Sequence, residues 1–304
     1  MKNKLILITF IIALFSCKLS TKEDTQKINT IVCTTGMIGD IVKNIVGDQI
    51  KVVTLMGPGV DPHLYKATQG DLKLLNEADV IVYNGLHLEG KMGEIFEKLE
   101  KQKNIIVATD AIPKADLINN TEFKGAYDPH IWFDVQLWNT STNYISKKLC
   151  ELVSDSIAQK FNSNTLTYTK SLSALNDAII ANFNKIDAER KVLITAHDAF
   201  GYFGRAYGFE VRGLQGISTT SEYGLKDVSD LVNFIIEREI KAVFVETSVA
   251  SKSLEAIVEG CMEKGHEVKI GGKLYSDAMG KEGTPDGTYI GMVKHNVKTI
   301  LKGI

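Results

Sequence analysis

The first half of the chain alternates short apolar runs with amphipathic segments. Runs rich in β-branched and apolar residues predict strands at 28–34, 49–56, 79–83 and 105–109. Apolar positions at helical spacing predict helices at 37–46, 71–78, 92–101 and 135–153. Strands that alternate with helices in this way are typical of βαβ units, which build a parallel sheet. The pattern therefore predicts an N-terminal α/β lobe over residues 28–155.

In the segment that follows, the apolar residues recur with a different period. No glycine or proline occurs between Phe161 and Ile186. The apolar residues predicted for the buried face lie three, four or six positions apart, and they are Leu166, Leu172, Leu175, Ile179, Phe183 and Ile186. This spacing predicts one amphipathic helix of roughly 20–25 residues, about 30–37 Å long. We assign residues 156–188 to this linking helix region. A continuous helix is a stiff connector, unlike a glycine-rich hinge.

A second alternation of strands and helices begins near Lys191. Strands are predicted at 191–196, 209–214, 241–246 and 267–270, and helices at 199–207, 227–239, 254–264 and 288–302. These elements predict a C-terminal α/β lobe over residues 189–304. The predicted fold class is α/β, with two Rossmann-like lobes that carry parallel sheets and are joined by one long rigid helix.

Composition adds little to this picture of an ordinary globular protein. Charged residues make up 24% and hydrophobic residues 44% of the chain, and the formal net charge is −2. Such a balance does not predict a nucleic-acid partner. Three of the four cysteines, Cys33, Cys150 and Cys261, stand alone in apolar surroundings, which favours buried free thiols over a disulfide framework.

The N-terminus has the features of an export signal. A short basic region, Met1–Lys4, precedes an apolar run from Leu5 to Phe15 that is too short to span a bilayer comfortably. The residues up to Cys17 resemble a bacterial lipobox. We therefore predict a signal peptide at 1–16 and a lipidated Cys17 with its tether at 17–27, which makes the protein a periplasmic or cell-surface lipoprotein. The alternative is a buried apolar N-terminal strand.

Two Asp-Pro-His turns, at 61–63 and 128–130, predict a shared metal site. Ligands of open α/β sheets collect at the carboxyl ends of strands. His63 and His197 are predicted to follow strand ends directly, and His130 and Asp277 lie in loops after predicted strands. Three imidazoles and one carboxylate close a tetrahedral site that suits Zn²⁺. A carboxylate that binds through both oxygens makes the site five-coordinate and admits Mn²⁺.

Each candidate ligand also has a simpler interpretation. His63 can cap a turn after Asp-Pro, His197 can anchor a helix start with Asp198 as its partner, and Asp277 can begin a helix. The three remaining histidines are predicted to lie outside the site. His87 is expected to form a structural hydrogen bond, whereas His266 and His295 are expected at the surface.

Six motifs spread over nearly all of the chain after Cys17 resemble one family. They are Gly59–Tyr65, Tyr83–Glu89, Asp128–Asp134, Thr195–Phe203, Gly216–Thr219 and Ser276–Gly280. The sequence is similar to the metal-specific solute-binding lipoproteins of bacterial zinc and manganese ABC importers, the cluster A-I or TroA-like family. The resemblance implies that His63, His130, His197 and Asp277 bind the metal in an interlobe cleft. It also implies the long interlobe helix.

The resemblance further implies a function in transport. A monomer captures the ion and presents it to an ABC permease that a cytoplasmic ATPase drives. Many manganese-selective members have glutamate in place of His197, which favours zinc here. Many dedicated zinc members carry a His-rich loop, but residues 89–127 contain no histidine. We expect a site that prefers zinc and accepts manganese.

Three other functions are alternatives to this expectation. A manganese-specific binding protein of the same kind is the nearest alternative. A zinc-dependent hydrolase is disfavoured because four protein ligands leave no open position for water. An adhesin role has no supporting motif and is compatible with transport.

Overall fold

The computed structural model describes residues 27–120 and 123–304. The predicted signal peptide at 1–16, Cys17 and the tether up to residue 26 lie outside the described residues. Within the described part of the chain, no helix is both long and apolar enough to cross a membrane.

The first lobe is built on a four-stranded parallel sheet. Its strands are β1 (Thr30–Cys33), β2 (Lys51–Thr54), β3 (Val80–Tyr83) and β4 (Asn104–Val107), and its helices are α1 (Gly36–Val46), α2 (Gln69–Glu77) and α3 (Gly93–Leu99). The strand order is β2-β1-β3-β4. Val80, Ile81 and Val82 are all buried because helices and loops cover both faces of a central parallel strand.

The second lobe repeats this arrangement. Its strands are β5 (Val192–His197), β6 (Glu210–Gln215), β7 (Ala242–Glu246) and β8 (Lys269–Leu274), in the order β6-β5-β7-β8. The helices of this half are α6 (Gly201–Tyr207), α7 (Leu225–Glu237), α8 (Lys252–Glu263) and α9 (Tyr289–Gly303). Every residue of β5 is buried. The prediction of two α/β lobes with parallel sheets is confirmed.

Two long helices come between the two sheets in the sequence. Helix α4 (Val135–Glu151) packs against α5 (Asp155–Phe183), which has 29 residues and is about 43 Å long at 1.5 Å per residue. The linking helix is thus longer than predicted and begins before Phe161. Leu166, which the periodicity suggested for the apolar face, is 72% exposed, and Thr165 and Tyr168 are buried instead. The lobe boundaries at 28–155, 156–188 and 189–304 stay a prediction.

Aromatic residues join the two lobes below the cleft. Phe133 stacks on Phe200 with ring centroids 4.2 Å apart. The Tyr289 hydroxyl donates a hydrogen bond to the Trp132 carbonyl at 2.7 Å, and the Trp132 indole N–H donates one to the Ser276 carbonyl at 3.0 Å. These contacts, which we call the interlobe floor, therefore lie directly beside the Asp128–Asp134 turn and residues 276–277.

Candidate metal centre

The four predicted ligands come from four different segments. His197 is the last residue of β5, and Asp277 follows β8, which ends at Leu274. His130 immediately precedes a short 3-10 turn. The prediction that His63 directly follows a strand is wrong, since β2 ends at Thr54 and the histidine lies well inside the next loop. That loop is long enough to carry the imidazole across to the other three residues.

The structure brings these four side chains together in the cleft. One potential ligand atom from each of His63, His130, His197 and Asp277 lies within 4.8 Å of the other three. The Nε2 atoms of His63 and His130 are 3.3 Å apart. All four residues are buried, with exposed fractions of 3% or less.

Asp277 stands at the centre of the cluster. Its Oδ2 lies 3.3 Å from Nε2 of His197 and 3.8 Å from Nε2 of His63, and its Oδ1 lies 3.4 Å from Nε2 of His130. Despite these short distances, neither oxygen has a partner in hydrogen-bond geometry among the described residues, and the same is true of His197 Nε2. Such buried, unsatisfied atoms are costly, and a cation between them would satisfy all of them. The donor set fits a divalent transition metal.

Asp128 orients the His130 ring. Its Oδ1 accepts a hydrogen bond from the His130 backbone N–H at 2.9 Å and lies 2.7 Å from ring Nδ1. A carboxylate on Nδ1 keeps the proton there and leaves Nε2 free to face the cleft. The Asp128 carbonyl in turn accepts a hydrogen bond from the Tyr202 hydroxyl of the other lobe, at 2.9 Å.

Glu246 lies against His197 in a similar way, but its contact with the ring is an ion-pair contact without hydrogen-bond geometry. Its Oε1 accepts a hydrogen bond from the His197 backbone N–H at 2.9 Å, and its Oε2 lies 2.5 Å from ring Nδ1. Sequence reasoning missed this residue. Glu246 ends β7, which pairs with β5, so an acidic residue at the carboxyl end of the strand predicted at 241–246 was the available signal.

His63 is held differently from the other two imidazoles. Asp61 Oδ1 accepts a hydrogen bond from the His63 backbone N–H at 2.8 Å, and Asp61 Oδ2 accepts one from the Thr219 hydroxyl of the second lobe at 2.7 Å. No carboxylate of the described residues contacts its Nδ1. The backbone of His63 is therefore fixed across the cleft, while its ring lacks the restraint seen at His130 and His197.

The surroundings shift the pKa values of the four side chains in different directions. Burial lowers the pKa of His63 to about 3. Burial also disfavours the charged form of His130, but Asp128 and Asp277 outweigh it and raise the pKa of His130 to about 9. Glu246 and Asp277 likewise outweigh burial and raise the pKa of His197 well above its usual value. Although burial opposes it, His197 and His130 hold the pKa of the Asp277 carboxyl well below its ordinary range.

The other three histidines lie outside the cluster. His266 contacts the Ile240 carbonyl through Nε2 at 2.7 Å and is half-buried. His295 contacts the Lys273 carbonyl at 3.0 Å, close to Asp286. The expectation of a structural hydrogen bond for His87 is wrong. Its ring is exposed and has no hydrogen-bond partner in the described chain, and it lies on a turn in which Leu86 and His87 have positive φ values.

Comparison with known proteins shows similarity along nearly the whole described chain. Residues 31–303 match the family model described as zinc-uptake complex component A, periplasmic. The chain is 50% identical over 274 residues to the manganese-binding lipoprotein MntA of Bacillus subtilis (strain 168), covering 90% of this chain and 89% of that protein. It is 47% identical over 274 residues to the zinc-binding protein TroA of Treponema pallidum (strain Nichols), covering 90% and 88%.

Solved structures agree with the sequence matches. The periplasmic zinc-binding protein TroA from Treponema pallidum superposes with a TM-score of 0.88 at 46% identity. The match covers 91% of this chain and 99% of that one. The two-lobed α/β fold is therefore shared with that protein.

Proposed function

Because the chain belongs to the family of periplasmic zinc-uptake component A proteins, we propose that it captures a divalent transition metal and delivers it to an ABC importer. The observation that carries this proposal is the buried cluster of three imidazoles and one carboxylate. Its members, His63, His130, His197 and Asp277, are proposed to be the metal ligands. The first lobe supplies two of them and the second lobe supplies the other two.

Capture requires ligand exchange and no covalent chemistry. The hydrated ion gives up water and gains imidazole nitrogens and carboxylate oxygens. The two Asp277 oxygens and His197 Nε2, which lack hydrogen-bond partners in the described chain, supply affinity because burying them without a cation is unfavourable. Asp128 and Glu246 hold two of the imidazoles in one orientation, so little ordering accompanies binding.

Zinc is the proposed cargo, and manganese is a second ion that the site accepts. Nitrogen-rich sites bind Zn²⁺ more tightly than Mn²⁺ by the general affinity order. Of the relatives described above, one is named for zinc and one for manganese. A manganese-specific protein of the same kind is the alternative. A competition titration that finds tighter binding of Mn²⁺ than of Zn²⁺ would select it.

The location and partners of the protein follow from the same proposal. Relatives are named as lipoproteins of metal ABC transporters. We propose export, anchorage to the membrane through a lipid on Cys17, and action as a monomer that docks on a permease with a cytoplasmic ATPase.

A zinc-dependent hydrolase has no support among the relatives, which are named as binding proteins. Four protein ligands from two lobes also leave no open position for a reactive water. Transport therefore accounts for the site better than catalysis does.

Metal analysis of tag-free protein that starts at Cys17, purified without chelator, tests the proposal. We expect one equivalent of zinc in the wild type and strongly reduced metal in His63→Ala and Asp277→Ala. His295→Gln, which changes an imidazole outside the cluster, should retain the wild-type content. One equivalent of manganese would keep the site and change the cargo. Absence of stoichiometric metal after reconstitution with either ion would refute the proposal.

A further inference from the structure

The proposed ligands are too deeply buried to meet the ion directly from solution. None of the four side-chain groups exceeds 3% exposure. A hydrated ion therefore needs a route through the protein surface, along which it loses water in steps. A surface cavity that borders one of the four residues is the place to look for this route.

A cavity of about 400 Å³ meets that condition. Among the four proposed ligands, His63 alone lines it. Its walls come from both lobes, since Leu86, His87 and Lys91 belong to the first lobe, and Ile217 and Thr220 belong to the second. The cavity thus lies at the mouth of the cleft, next to the imidazole whose Nδ1 is contacted by no carboxylate of the described residues.

The wall residue His87 is presented on a strained turn. Gly85, Leu86 and His87 have φ values of 93°, 52° and 64°. This left-handed conformation costs non-glycine residues free energy, so such a run persists only where its surroundings hold it. Here the buried Glu89 holds the start of the turn. Its carboxylate accepts hydrogen bonds from the backbone N–H groups of Asn84 at 2.8 Å and of Gly85 at 3.2 Å.

Within the described chain, nothing keeps the His87 imidazole from a ligand that enters the cavity. It is exposed, and within the described chain it has no hydrogen-bond or ion-pair partner. Imidazole is a ligand for the same divalent metals that the buried cluster suits. A fixed backbone, a free ring and a cavity shared with His63 are three separate observations that concern one residue.

We propose that this cavity is the route by which the ion enters and leaves, and that His87 is an accessory ligand that contacts the ion on that route. The inference depends on the proposed function, because it assumes a metal bound by the buried cluster. His87 takes the place of one water of the hydrated ion at the mouth of the cleft. His63, whose ring is the least restrained of the three, then takes the ion inward.

A transient ligand has a kinetic signature that a resident ligand lacks. His87 does not belong to the cluster that holds the bound ion, so its removal leaves both end states unchanged. The association and release rate constants must then fall by the same factor, and the dissociation constant stays the same. Loss of a resident ligand would instead raise the dissociation constant.

His87→Asn tests the inference, since asparagine tolerates the left-handed conformation that the turn requires. The matched control is Thr220→Val, which alters the wall of the same cavity without removing an imidazole. Stopped-flow mixing with Zn²⁺ measures capture, and mixing with excess chelator measures release. We expect both rate constants to fall by at least about threefold in His87→Asn, with an unchanged dissociation constant and wild-type rates in the control.

A second measurement uses the wild-type protein and does not depend on the variant. With one equivalent of Zn²⁺ already bound, further Zn²⁺ should shift the NMR signals of the His87 ring nitrogens at millimolar concentration or below. Wild-type exchange rates in His87→Asn, or His87 signals that excess Zn²⁺ leaves unmoved, would overturn the inference. Failure of the wild type to bind metal would instead refute the proposed function, so the two outcomes are distinct.

Discussion

Replacement of Glu246 by glutamine measures what the carboxylate beside His197 contributes to metal affinity. Glu246 is 2% exposed, accepts the His197 backbone N–H at 2.9 Å and lies 2.5 Å from ring Nδ1. Glutamine has nearly the same shape but offers one acceptor oxygen in place of two. Its amide NH₂ group must then face either the His197 backbone N–H or ring Nδ1.

The expected loss of affinity follows from this mismatch. Loss of an outer carboxylate that orients a ligating histidine typically costs about 10–100-fold in metal affinity. This corresponds to about 1.4–2.7 kcal/mol of binding free energy. The buried and doubly engaged position of Glu246 places the expected loss in this range, because water cannot replace the missing acceptor.

The size of the loss should depend on pH. Although burial opposes it, Glu246 contributes to the raised pKa of metal-free His197, so protons compete with the metal for this ring. The substitution lowers that pKa and weakens the competition. Wild-type affinity therefore falls more steeply than variant affinity as the pH drops. The deficit of Glu246→Gln should be largest at alkaline pH and shrink on acidification.

Competition titration of Zn²⁺ against a chromophoric chelator, at several pH values, is the assay. Glu255→Gln is the matched control, since this carboxylate is exposed and accepts a hydrogen bond from Ser251. An affinity of Glu246→Gln equal to that of the control would refute the reasoning. A deficit that grows on acidification would refute the assigned effect on the His197 pKa.

Three further predictions concern the wild-type site, the interlobe floor and the linking helix. Wild-type affinity should rise with pH up to about 9, because the metal must displace a proton from His130, whose pKa is about 9; titration with proton-release measurement checks this. Phe133→Ala should lower the free energy of unfolding by about 3–5 kcal/mol in denaturant titrations, since it removes a buried ring stacked on Phe200, whereas Leu166→Ala at a 72% exposed position should change it little. Scattering profiles of metal-free and metal-loaded protein should nearly coincide because α5 is one continuous helix, and a large compaction on binding would contradict this.

The elements of the fold were predictable because their signals are local. The strand Val80–Tyr83 is predicted by its own run of apolar residues, and the linking helix is predicted by the spacing of Leu172, Leu175 and Ile179. The linking helix was predicted too short because its first turns, from Asp155, contain few apolar residues. Leu166 was placed on the wrong face because the helix fills its buried stripe with Thr165 and Tyr168.

The candidate site was predictable in part. The two Asp-Pro-His turns and the histidine at the end of β5 identified three imidazoles, and the loop after β8 supplied the carboxylate. That these four side chains meet is a geometric result, since they lie far apart in the chain and come from both lobes. The orienting carboxylate of Glu246 and the exposed ring of His87 were not recognised, because no sequence pattern shows which side chain faces His197 or how exposed His87 is.

The sequence by itself determined the two α/β lobes, the continuous helix between them and the residue types of the candidate centre. Periodicity and proline chemistry act over a few residues, so one chain reveals them without coordinates. Only the tertiary structure decided which carboxylate faces which imidazole, that Asp61 and Thr219 bond across the cleft, and that His63 borders a cavity. These relations depend on how the two sheets pack together, and contacts between distant segments leave no periodic pattern in the sequence.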